Sequence, residues 1–278
     1  GHRLVSAGSA ERMVACSRWD EVCDMISFHA ALAAALGAPT EFRLLNPPRG
    51  GQQTVSVRSR DDLPAVDAAL ASGPAGGTPI CQHVSHVAAL IASEAATLRA
   101  NGQQAVLTIV TDGLPSDGDL AAAMQPLARL PVWIVVRLCT DEDEVIEFWN
   151  NLDKALECDI EVLDDLAGEA AECQTLNPWL TYGLPLHRLR EWGVHHKLID
   201  LLDERALAPV EVRDFLALLL GGPPLPHPEV DAPGLVKEAL ARQRDSEQPY
   251  NALRKRRTPW VDGSRLLRAV DRRGCAIQ

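Results

Sequence analysis

Between Ser17 and Gly37 the apolar residues Met25, Phe28, Leu32 and Leu36 recur at helical spacing, and Gly37 is placed to end the run. The pattern predicts a helix. "TEFRLLN" (Thr40 to Asn46) follows as a short strand, and "PPRGG" breaks it. "QTVSVRS" (Gln53 to Ser59) alternates polar and apolar residues, as a half-exposed edge strand does. "DDLPAVDAALAS" reads as a short helix with an Asp cap. A Gly-rich loop with Pro79 then opens a long helix. "AVLTIVT" (Ala105 to Thr111) and "RLPVWIVVRLCT" are continuous apolar runs, the mark of strands buried on both faces. "DEDEVIEFWNNLDKALE" is an amphipathic helix and "CDIEVLDDL" a last strand.

Strands and helices that alternate with short connections predict a Rossmann-like α/β fold, a mostly parallel sheet with helices on both faces. This unit is expected to span residues 1–173. From 174 to 222 the pattern turns to short helices separated by Pro and Gly, with no β signal. Residues 223–278 read as a linker and a basic, partly disordered tail. Trp149, Trp179 and Trp192 read as core packing that anchors the second module on the first.

Charge changes the picture in one place. The chain of 278 residues carries a net charge of −11, which argues against nonspecific nucleic-acid binding. Yet from Asn251 onward Arg254, Lys255, Arg256, Arg257, Arg265, Arg268, Arg272 and Arg273 face only Asp262 and Asp271. The seven cysteines are scattered, odd in number and without a CxxC pair, which suits reduced thiols in a cytoplasmic protein. No apolar run is long enough to span a bilayer.

The candidate chemistry sits where a buried strand ends on an acid. In an open α/β sheet, ligands bind beyond the carboxyl ends of the strands. Asp112 lies at such an end, in "VLTIVTDGLPSDG", and Thr78 lies in "GGTP" just before a helix. A carboxylate and a hydroxyl on neighbouring loops form a hard oxygen site suited to Mg²⁺ or Mn²⁺. Thr78 as a plain helix N-cap and Asp112 as a turn residue are the competing readings. Asp117 and Asp119 read as solvated loop acids. His83 and His86, close to Cys81, lack a second Cys/His pair and do not make a zinc site.

Taken with "RWDEVCDMISFHAALAAALG" and "TEFRLLN" ahead of them and "PVWIVVRLCT" behind, these motifs resemble the von Willebrand factor type A domain, over roughly Ser17 to Asp165. The resemblance implies a protein-interaction module with a metal-ion-dependent adhesion site. Thr78 would supply its second loop and Asp112 its third, and a carboxylate from a protein partner would complete the metal shell. The family's first loop, D-x-S-x-S, follows a central strand that lies between the strands matching "TEFRLLN" and "VLTIVTD". No D-x-S-x-S occurs here, and the chain starts at Gly1 rather than Met. The expectation is therefore an N-terminally truncated domain without its first central strand, and an incomplete metal site.

Enzyme motifs are missing. A haloacid-dehalogenase-type phosphatase needs an acid two residues before Asp112, where Val110 stands. No G-x-G-x-x-G, P-loop lysine or G-x-S-x-G occurs. An enzyme on a Rossmann-like sheet is thus the weaker reading, and no catalytic residue is assigned. The last four residues, "CAIQ", fit the C-a-a-X pattern at Cys275, preceded by basic clusters. Prenylation there, with the basic tail against an inner leaflet, gives the alternative of a metal-free, membrane-tethered scaffold.

Overall fold

The computed structural model describes residues 2–7, 10–140, 142–156 and 160–271, and is a mixed α/β structure. It divides into two compact units, one drawn from residues 1–3, 14–165 and 191–193, the other from 4–13, 166–190 and 194–278.

At the N-terminus β1 (His2–Ala7) and β2 (Ala10–Ala15) pair with each other, a hairpin the apolar pattern does not announce. α1 (Arg18–Leu36) opens on a capping box, in which the Asp20 N–H donates to the Ser17 hydroxyl and the Ser17 N–H to the Asp20 carboxylate. It ends at Gly37, whose φ of 60° lets the chain turn left-handed. β3 (Thr40–Arg43) and β4 (Thr54–Val57) pair antiparallel, and α2 (Leu63–Leu70) and α3 (Ile80–Ala100) follow. β5 (Ala105–Thr111), α4 (Leu120–Met124), β6 (Val132–Leu138), α5 (Asp143–Ala155) and β7 (Ile160–Leu163) complete the unit. β5, β6 and β7 form a parallel sheet in that order, from Ala105↔Val132 to Thr111↔Leu138 and from Ile134↔Ile160 to Arg137↔Leu163.

Helices cover one face of this sheet. Ile109, Ile134, Val136 and Leu138 pack against Ile80, Val84, Leu120, Met124, Val145 and Trp149 of α3, α4 and α5. On the opposite face Arg137 reaches Glu21 of α1.

The sheet is narrower than the sequence suggests, because β3 pairs with β4 and does not join β5. The Ala105 N–H donates to the Pro131 carbonyl (2.8 Å) and the Thr111 carbonyl accepts from the Cys139 N–H (2.9 Å), so odd-numbered residues of β5 face β6. Backbone groups alternate sides along a strand, so the N–H groups of Val106, Thr108 and Val110 face the other edge, which has no strand neighbour among the described residues. By the same logic Leu44, whose N–H donates to the Gln53 carbonyl (2.9 Å), turns Glu41 and Arg43 away from β4. Beside β5 lies the tripeptide Glu191–Gly193. The Thr108 hydroxyl donates to the Glu191 carbonyl (3.2 Å). Gly193 has φ 79°, and a Cβ there would come within 2.3 Å of Val106 Cγ1, so both backbone shape and space demand glycine.

On the α1 face a charge is buried. Arg137, 3% exposed, sits mid-sheet on β6. Its Nε donates to Glu191 (3.0 Å), its Nη2 to Glu21 on α1 (2.5 Å), and its Nη1 to the Leu138 carbonyl. His29 Nε2 lies 3.3 Å from the second Glu191 oxygen, and its ring stacks on Trp192 at 5.5 Å. A guanidinium out of water is costly unless each N–H finds an acceptor, and three elements converge to supply them.

The second unit is mainly helical: α6 (Leu166–Leu176), α7 (Leu184–Glu191, the last residue counted with the first unit), α8 (Lys197–Glu204), α9 (Pro209–Leu220), α10 (Pro228–Arg242), a hairpin of β8 (Tyr250–Asn251) and β9 (Arg256–Arg257), and α11 (Gly263–Val270). Two expectations are corrected here. The helical unit begins at Leu166, not after residue 173. The stretch read as linker and disordered tail is folded to Asp271: Leu235, Val236 and Ala239 of α10 and Leu266 and Val270 of α11 enter the same core as Phe215 and Leu216 of α9. Pro233 is accommodated by a break at Asp231, whose carboxylate accepts from the Gly234 N–H (2.8 Å) and restarts the helix. The tryptophans serve separate cores, Trp149 in the first unit and Trp179, edge-on to Phe215, in the second; Trp192 packs within the first. Cys158 and Cys275 lie outside the described residues.

Removing one partner of the buried charge cluster leaves the other exposed to full desolvation. Glu191→Ala is expected to cost roughly 3–5 kcal/mol in urea unfolding, while replacing Arg137, Glu21 and Glu191 together by Met, Leu and Met costs clearly less. Equal losses for the two variants would mean that packing, not charge pairing, holds this face.

Candidate functional site

β5 ends at Thr111, and Asp112 follows directly on the carboxyl edge of the sheet. Its side chain is 56% exposed and its nearest described charge is the Arg18 guanidinium at the start of α1, at 3.6 Å. Arg18 reaches a second carboxylate, Glu142 beyond β6, at 2.9 Å. The hydrogen bond that Arg18 donates to Glu142 raises the guanidinium's pKa further above its ordinary value, with the charges of Glu142 and Asp112 adding to it. A cationic side chain thus lies between acids from two neighbouring strand ends.

Thr78 belongs to the adjacent loop. The two loops are joined through Ser116: the Thr78 N–H donates to the Ser116 hydroxyl (3.0 Å), and the Ser116 N–H donates to the Thr78 carbonyl (2.9 Å). Gly77 fits against Ser116, where a Cβ would come to 3.2 Å of the hydroxyl. The Thr78 hydroxyl lies 3.9 Å from where a Cβ on Gly113 would stand, so it sits beside the residue that follows Asp112.

The N-cap role read for Thr78 belongs to another residue. α3 has Pro79 at its N-cap position with no side-chain cap of its own. Its first free N–H groups, on Cys81 and Gln82, donate to the Asp117 carboxylate at 3.0 and 2.9 Å. Asp117 is therefore no idle loop acid, and neither is Asp119, which accepts from the Ala122 N–H (3.2 Å) and caps α4. Burial alone would push the Asp117 carboxyl up. The N–H bonds from Gln82 and Cys81, with the Cys81 thiol, outweigh it and hold the carboxyl below its usual range. Burial and the facing Asp117 carboxylate push the Cys81 thiol up to about 11, so it stays neutral.

Two hard oxygen donors, Thr78 and Asp112, are thus brought to adjoining loops. Among the described residues no group of three His, Cys, Asp or Glu side chains could hold a metal ion. Arg18 and Glu142 were not legible as site residues, since only the fold brings the first turn of α1 to the end of β6. Asp117 carried only a partial signal, an acid in a strand-end loop, since the helix it caps, α3, lies upstream of it in the chain. No family model, curated protein or solved structure matches the chain. Among the described residues no helix is long and apolar enough to cross a membrane.

Asp117 is a charged cap whose folded pKa is depressed. Its contribution is present above the ordinary carboxyl range and fades as pH falls through the folded value. Asp117→Ala is expected to lower stability by about 1 kcal/mol at neutral pH, and the gap from wild type should narrow only as pH falls below about 4, the ordinary carboxyl value. A gap that stays constant into acid would show that the carboxylate's charge plays no part.

Proposed function

We propose that the first unit is a Rossmann-like, von Willebrand factor type A-like interaction module. It binds a protein partner through an acidic group at the carboxyl ends of β5 and β6. The observation that supports this most is the pair of open strand edges. The resemblance places a strand between those matching "TEFRLLN" and "VLTIVTD", and β3 and β5, which carry these sequences, each have one edge without a strand neighbour among the described residues. The Thr78 and Asp112 loops meet beside the end of β5, where such a module presents its site.

Thr78 and Asp112 would hold Mg²⁺ or Mn²⁺, with waters and a partner carboxylate filling the remaining positions, and the ion would supply the positive charge that the partner recognises. Arg18 competes for the same role. Its exposed pairing with Asp112 is worth at most about 1 kcal/mol, so a divalent ion can displace it. The same side chain supports a second reading, a metal-free scaffold in which Arg18 itself meets the partner's acid; in that form the chain could be tethered by prenylation of Cys275. An enzyme on the same sheet is the weaker reading, because the sequence carries no nucleotide-binding or hydrolase motif.

Titration of the full chain with Mn²⁺, followed by the loss of the free-ion electron paramagnetic resonance signal, separates the two readings. Weak binding is expected, reduced at least about tenfold by Asp112→Asn, reduced by Thr78→Ala, and strengthened by Arg18→Gln. Absence of binding at about 10 mM Mn²⁺, or binding indifferent to Asp112→Asn, overturns the metal site and leaves the metal-free scaffold.

A further inference from the structure

The hairpin of β8 and β9 is built unlike the rest of the surface. Its base is locked: Tyr250, Asn251 and Thr258 are buried, the Asn251 amide donates to the Thr258 hydroxyl (3.3 Å), and the Asn251 Oδ1 accepts from the Arg254 N–H (2.9 Å). The four-residue turn Ala252–Lys255 projects from this base, and Leu253 on it is 42% exposed. Arg254, Lys255 and Arg256 are exposed. Arg257 differs, because Glu11 (2.7 Å) and Glu247 (2.8 Å) neutralise it. Three exposed cations therefore follow one exposed apolar side chain at the tip, and among the described residues no carboxylate lies within ion-pair distance of them.

The backbone at the tip adds a second observation. Lys255 has φ 53°, and among the described residues it is the one non-glycine with positive φ. Glycine would adopt this turn without strain, so the position holds an outward cation against local preference.

We infer that this hairpin docks the protein on an anionic lipid surface, with Arg254, Lys255 and Arg256 meeting headgroup phosphates and carboxylates and Leu253 entering the interface. Basic side chains next to an exposed apolar one match a surface that is negatively charged outside and apolar just beneath. A nucleic-acid surface fits less well. The hairpin's aromatic residue, Tyr250, is 3% exposed and offers no face for base stacking, and the chain's net charge of −11 opposes a long polyanion. The hairpin lies in the second unit, and its docking depends neither on metal at Thr78 and Asp112 nor on lipidation of Cys275.

The test is cosedimentation of the full, unlipidated chain with phosphatidylcholine vesicles, with and without about 30% phosphatidylserine. Binding is expected only to the anionic vesicles and should fall steeply between about 0.05 and 0.5 M NaCl. Lys255→Gly relieves strain while removing a charge, so it should keep or raise the melting temperature yet weaken vesicle binding several-fold. Arg254→Gln with Arg256→Gln should weaken it at least about tenfold, and Leu253→Ala by less. Equal binding to neutral vesicles, wild-type binding by these variants, or binding to a single-stranded RNA or an acidic peptide but not to anionic vesicles overturns the inference.

Discussion

A guanidinium buried in the middle of a sheet constrains everything packed around it. Arg137 sits in a strand otherwise made of Val, Trp, Ile and Leu, and it is tolerated only because acceptors arrive from three places. Glu21 fixes the rotation of α1 against the sheet. Glu191 fixes the tripeptide that continues to Gly193 and lies on Val106 and Thr108. His29 then meets the second Glu191 oxygen, and Trp192 stacks on the His29 ring. Such a cluster contributes little net stability compared with apolar packing, but it admits one arrangement of its elements. The position of α1 matters beyond the core, because Arg18 at its first turn is the cation that meets Asp112 and Glu142.

The strand-end site thus inherits its geometry from two sources. Hydrogen bonds between Thr78 and Ser116 hold the Thr78 loop against the loop that follows Asp112, and the Asp117 cap fixes the start of α3. The docking of α1 sets the competing positive charge. In the proposed reading, two oxygen donors with a guanidinium nearby would either hold an ion weakly or use the arginine in its place, so the metal and metal-free readings share one set of residues.

Much of the architecture is legible in the sequence, because it is local. The Met25, Phe28, Leu32, Leu36 spacing and Gly37 mark α1 almost residue for residue, and the apolar runs mark β5 and β6. The loops that carry Thr78 and Asp112 are legible from glycine and proline. What escapes is non-local or masked by composition. Arg137 looks like the end of an apolar run, and its partners stand 116 and 54 residues away. The run of basic residues after Asn251 suggests a solvated tail, yet Leu235 with Ala239 and Leu266 with Val270 recur at helical spacing and are buried. Charge outweighs periodicity in that reading, and periodicity describes the packing.

The central claim about the first unit is that its sheet holds an open strand position beside β5. Residue-resolved amide hydrogen exchange on the full chain addresses it directly. The expected result is fast exchange at Val106, Thr108 and Val110, whose N–H groups face the open edge, against slow exchange at Leu107, Ile109 and Thr111, which face β6. Equal protection of all six amides would contradict the claim, since it would mean that β5 is already paired on both sides.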